Sequence, residues 1–191
     1  MASLPETAAW RLVDAHEGFE VLFPRRGRDG YRFDGHSVGV EEGELWSVRY
    51  TLELDAGWMA RSAHVIGRSR SGAHETRLER SGSGAWRVDG EPAPDLDGCV
   101  DVDLEGSALT NALPVHRLGL AVGQSADAPA AYVRALDQSV QRLEQRYARL
   151  ADEAGHARYD YESPAFDFRC VLVYDEHGLV LDYPGIAARV A

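Results

Sequence analysis

Between Trp46 and Leu54 an apolar residue stands at every second position: Trp46, Val48, Tyr50, Leu52 and Leu54. Ser47, Arg49, Thr51 and Glu53 fill the gaps. Successive side chains of an extended chain point to opposite faces, so this run is a strand with one face buried. Shorter pieces repeat the pattern. Trp10–Leu12 and Phe19, Val21 and Phe23 alternate, and Tyr31–Phe33 and Val38–Val40 flank a turn at Gly35. Asp55-Ala56-Gly57 turns the chain into a strand from Trp58 to Val65. His74–Arg80 and Ala85–Val88 are joined by Ser81-Gly82-Ser83-Gly84, a hairpin loop by composition. Near the end, Phe166–Phe168 and Cys170–Tyr174 precede a turn at 175–178. A last strand, Leu179–Tyr183, stops at Pro184-Gly185. Short extended segments about ten residues apart predict a mainly β chain. The expected architecture is a large antiparallel curved sheet, half-barrel or barrel-like, with at most one or two short helices. Its concave face would naturally enclose an apolar ligand cavity.

Two stretches fit that scheme less simply. Leu113–Leu118 reads as an extended run after a turn at Thr110-Asn111. In Ala130–Ala154, Val133, Leu136, Val140, Leu143, Tyr147 and Leu150 recur at spacings of three and four. That spacing argues for an amphipathic helix, which Gly155 would stop.

A chain of 191 residues makes a single domain, 1–191. Its 31 acids against 20 Lys and Arg give a net charge of -11, which repels a polyanion and argues against nucleic acid as a partner. No secretory signal and no transmembrane segment can be read. Cytoplasmic localisation is expected, with Cys99 and Cys170 as reduced, buried small residues. Nothing in the chain specifies an oligomeric state.

Signs of catalysis are sparse. There is no Gly-x-Ser-x-Gly elbow and no phosphate-cradling glycine loop. The seven histidines, His16, His36, His64, His74, His116, His156 and His177, lack metal-ligand spacing, so no metal and no cofactor are expected. Asp95, Asp97, Asp101, Asp103 and Glu105 alternate, as on a solvated strand face or as partners for nearby arginines. Asn111 and Thr110 read first as a turn, and otherwise as a polar ligand anchor with Arg117 as charge partner. Arg49, Tyr50, Trp58, Arg61 and His64 form a second cluster. Trp46, Tyr50 and Trp58 read first as a core stripe. If the polar face instead lines a cavity, the rings and guanidinium groups suit a sugar or phosphate head group.

Three separated blocks carry a resemblance. One spans Trp86-Arg87-Val88-Asp89-Gly90, Leu96–Leu104 and Thr110–Leu118. The others are Gln145-Arg146-Tyr147 with Tyr159-Asp160-Tyr161-Glu162, and Asp175–Pro184. With Val48-Arg49-Tyr50 and Trp58–Arg61, these make the chain resemble the bacterial family named putative glycolipid-binding. Two positions depart from that family's pattern: histidine stands at His116 and leucine at Leu109. The resemblance implies a half-barrel similar to the bacterial lipoprotein-carrier proteins, with non-enzymatic binding of a glycolipid or other amphiphilic small molecule. It also implies strand rather than helix over 137–150. The ligand-contact candidates are Arg49, Tyr50, Trp58, Arg61, Asn111 and Arg117, with the three arginines at the polar head. Two rival readings stand beside it. One is an enzyme acting on a lipid or sugar conjugate through Asp101 or Asp103 with His116. The other is a protein-interaction module.

Overall fold

The computed structural model describes residues 3–13, 17–41 and 43–191; His16 lies outside the described residues. Eight strands come first: β1 (Ala8–Leu12), β2 (Glu17–Arg26), β3 (Gly30–Glu41), β4 (Glu44–Asp55), β5 (Ala60–Ser69), β6 (Gly72–Arg80), β7 (Trp86–Val88) and β8 (Glu91–Pro92). After β9 (Asp101–Leu104) and an α-helix, α1 (Ala112–Leu118), come β10 (Ser125–Asp127), β11 (Ala130–Val133), β12 (Val140–Leu143), β13 (Arg146–Glu153), β14 (His156–Ser163), β15 (Phe168–Tyr174), β16 (Val180–Tyr183) and β17 (Ala187–Arg189). Among the described residues, fourteen strands form one antiparallel sheet in the order β10-β13-β14-β15-β16-β17-β1-β2-β3-β4-β5-β6-β7-β8. The first and last strands pair in its middle, Trp10 opposite Arg189. The sheet therefore joins the two halves of the chain and stays open at β10 and β8. A small second sheet, β12-β11-β9, holds β9 parallel to β11.

The alternation read at Trp46–Leu54 is β4, and all five of its apolar residues are buried. The space that β4 faces is filled by the chain itself. Trp86 Nε1 donates to Cys99 O (2.9 Å), the Ala60 N–H donates to Val100 O, and Tyr174 Oη donates to Asn111 O. Leu96, Cys99, Leu109, Ala112, Leu113 and Val115 belong to the same core as β4. Residues 96–118 thus plug the sheet, and most of the concavity expected from sequence is core.

Leu113–Leu118 is not extended but helical. A 3-10 turn at Leu109–Asn111 runs straight into α1. Pro114 lies in the first turn, where its missing N–H costs no intrahelical bond. Gly119 adopts φ 53 and returns its N–H to Val115 O, ending the helix. Conversely, the helical spacing over 130–154 belongs to three strands. Leu143, Gln145 and Tyr147 all point inward while Glu144 and Arg146 point out. A glutamine at an inward position masked the period of two. The strand that the family resemblance implied over 137–150 is present as β12 and most of β13.

The alternating acids also divide. Asp95 lies in a 3-10 turn at Pro94–Leu96, and only Asp101–Leu104 is strand. Both cysteines are free; Cys99 is buried as expected but Cys170, on β15, is only half-buried, and burial pushes the Cys99 thiol up to about 11 and the Cys170 thiol to about 12. Among the described residues no helix is long and apolar enough to cross a membrane.

Candidate functional site

Where the small sheet meets β14–β16, a pocket of about 330 Å³ stays open. Its floor comes from β9 and the turn that follows, and its walls from β11, β12, β14, β15 and β16. Asp103 accepts a hydrogen bond from Thr110 Oγ1 (2.7 Å) and another from Gln145 Nε2. Burial outweighs those bonds and pushes the Asp103 carboxyl up to about 6, and neighbouring Asp101 and Glu105 act in the same direction. Glu105 accepts from Tyr132 Oη (2.8 Å) and from the Ala135 N–H (2.7 Å), and Arg134 Nε stands 3.8 Å away. Asn111 Nδ2 is 2.9 Å from Tyr147 Oη. Aromatic rings surround this floor. Tyr132 meets Phe166 edge-on at 5.6 Å between centroids, and Tyr161, Phe168 and Tyr183 contact one another at 5.9–6.3 Å. Phe166 forms an outer lip, 52% exposed.

A buried acid holds one wall in place. Glu20, on the inner face of β2, accepts from Tyr50 Oη (2.6 Å), from the Ala108 N–H (2.7 Å) and from Ser107 Oγ. Burial raises its carboxyl above the ordinary range. The contact ties the turn bearing Gly106 and Ser107, which line the pocket, to the large sheet.

A larger cleft of about 610 Å³ lies at the ends of β4 and β5, lined by residues 43–47 and 68–70. It brings together Glu44, Ser47, Arg68, Ser69 and Arg70 with one ring, Trp46, and lacks the ring cluster of the smaller pocket. Binding chemistry needs a few fixed polar groups within an apolar surround, and the smaller pocket has them.

The six sequence candidates are spread across the molecule. Asn111 lines the pocket. Arg117 makes a two-pronged ion pair with buried Asp101, Nε to Oδ1 at 3.0 Å and Nη2 to Oδ2 at 2.5 Å. Tyr50 is buried and holds Glu20. Trp58 lies flat on the His116 ring at 3.5 Å between centroids. Arg49 and Arg61 are exposed on β4 and β5. Asp103 and His116, paired in the enzymatic reading, line different pockets. Burial against Trp58 holds the His116 imidazole down at about 4. Among the described residues no group of three or more His, Cys, Asp or Glu is placed to hold a metal ion. Glu20 and the ring set Tyr132, Phe166, Phe168 and Tyr183 were not singled out from sequence, and Glu105 was read only as one of the alternating acids. The one local signal for them was the density of aromatic residues between Tyr159 and Phe168.

Comparisons with known proteins agree with this architecture. The chain is similar to a DUF1089 family protein from Pseudomonas aeruginosa, with a TM-score of 0.77 and 34% identity over 100% of this chain and 96% of that one. It shares its fold with a beta-barrel-like protein of the domain of unknown function DUF1849 from Brucella abortus. There the TM-score is 0.51 and the identity 10%, over 98% of this chain and 95% of that one. No curated protein matches. The family described as "Putative glycolipid-binding" matches residues 7–189. The chain belongs to that family.

Proposed function

We propose that the protein binds an amphiphilic small molecule of the glycolipid kind without transforming it, using the pocket between the small sheet and β14–β16. The observation that carries this reading is the pairing of two surfaces in one pocket. Asp103, Glu105 and Asn111 offer fixed polar atoms, and Tyr132, Phe166, Phe168 and Tyr183 offer ring faces and edges. Rings stack on the apolar faces of sugars and cover alkyl chains, while the polar atoms orient a head group. Because residues 96–118 fill the large sheet, an acyl chain has no deep tunnel there. The head group occupies the pocket, and the chain leaves over the exposed Phe166 lip. The family name supports a lipid-like ligand. The two free thiols suit a reducing compartment such as the cytoplasm.

The test uses native mass spectrometry and calorimetry with short-chain alkyl glycosides below their micelle concentration. Phe166→Ala removes an exposed ring and should weaken binding by about tenfold, the loss of one stacked or covered apolar group. Its melting temperature should stay near that of the wild type. Unchanged affinity in Phe166→Ala, or no binding of any amphiphile by the wild type, contradicts this function.

A further inference from the structure

Resting on that reading of the pocket, we infer that it selects an uncharged, hydroxyl-rich head group and rejects phosphate or sulfate heads. What the pocket lacks is as informative as what it holds. Its charged side chains are Glu41, Asp103, Glu105 and Arg134, three acids against one base. The base stands beside one of the acids, its Nε 3.8 Å from Glu105 Oε2, so the net charge of the lining stays negative. Asn111 directs one amide N–H to Tyr147, which leaves its carbonyl oxygen and a second N–H. The carboxylates set the charge of the lining, while Ser163, Tyr161 and Tyr183 add hydroxyls that can donate or accept. Sugar hydroxyls supply the O–H donors that such a floor needs, and a carboxylate can accept from two neighbouring hydroxyls.

A phosphate or sulfate head brings acceptors and negative charge only. It would bring Asp103 and Glu105 no hydroxyl beyond the protein donors they already have, and it would place like charges together in a partly desolvated site. The arginines proposed from sequence as head-group partners do not alter this balance. Arg117 is committed to Asp101, and Arg49 and Arg61 do not line the pocket. The origin of the selectivity is thus the acidic charge of the floor, with the rings giving affinity to either ligand.

Calorimetry with octyl glucoside and octyl phosphate, matched in chain length, tests this. The expected result is octyl phosphate binding at least about tenfold more weakly than the glucoside. In Glu105→Gln the gap should narrow at least about threefold, because one like charge is gone while the side chain keeps its shape. Octyl phosphate binding as tightly as the glucoside overturns the inference and leaves amphiphile binding intact. An unchanged gap in a folded Glu105→Gln also overturns it, since the acids would then not set the preference. If neither compound binds, and native mass spectrometry with other alkyl glycosides also shows none, the proposed function falls and this inference with it.

Discussion

Two buried titratable groups shift in opposite senses, and their signs can be worked out separately. Asp103 titrates near 6 in the folded chain against an ordinary 3.8. Between those values the folded chain keeps a proton that the unfolded chain has released. Acidification through that window therefore adds stability through Asp103, and a pH rise through 6 removes it. His116 titrates near 4 against an ordinary 6.5. There the unfolded chain takes the proton first, so acidification from 6.5 towards 4 removes stability. Each effect is of order 2 kcal/mol at about 1.4 kcal/mol per pKa unit. Urea unfolding at pH 7 and pH 4.5 should separate them. On going to the lower pH the wild type should gain stability relative to Asp103→Asn and lose it relative to His116→Phe. The same sign for both variants contradicts these environments.

Arginines allow a second contrast. Arg117→Ala strands buried Asp101 without its partner and should cost about 3 kcal/mol. Arg49→Ala, on the exposed face of β4, should change stability by less than about 0.5 kcal/mol. Chemical denaturation of both variants checks this, and equal losses contradict it. From sequence the two arginines looked equivalent. What separates them is a partner supplied by another element, and no spacing along the chain encodes that. Glu20 is a further case, because its partner Ala108 lies 88 residues away.

At the scale of elements, β4 was legible because its apolar and polar faces alternate without a break. The segments that misled did so through single residues. Gln145 is inward and polar, and it broke the alternation of β12 and β13. Pro114 suggested an extended run, although the first helical turn accepts it. The turn after β9 was opaque for another reason: its shape depends on Trp46. A Cβ on Gly106 would lie 2.5 Å from Trp46 Cη2, and the backbone there has φ +71. Gly106→Ala should therefore lose at least about 1 kcal/mol and disturb the pocket wall. A melting temperature unchanged from wild type would mean that this turn is free to relax.

At the scale of the whole molecule, the large antiparallel sheet was foreseeable from many short alternating segments, and the family from three ordered motifs. The interior was not. An open sheet of this size suggests a hollow, yet residues 96–118 fold back into it and leave a modest pocket at one side. The site we propose lies accordingly among acids and rings on and beside β9, β11 and β14–β16, apart from the arginines on β4 and β5. Of the six ligand-contact candidates proposed from sequence, Asn111 alone lies in it, beside Asp103 from the enzymatic reading.

The central claim is that this pocket takes the head of an amphiphile, and mapping by NMR tests it most directly. Octyl glucoside titrated into isotope-labelled protein should shift resonances of Asp103, Glu105, Tyr132, Phe166 and Phe168, saturating together with one affinity. Saturable shifts confined to the cleft at residues 43–47 and 68–70, or no saturable shifts at all, would contradict the account.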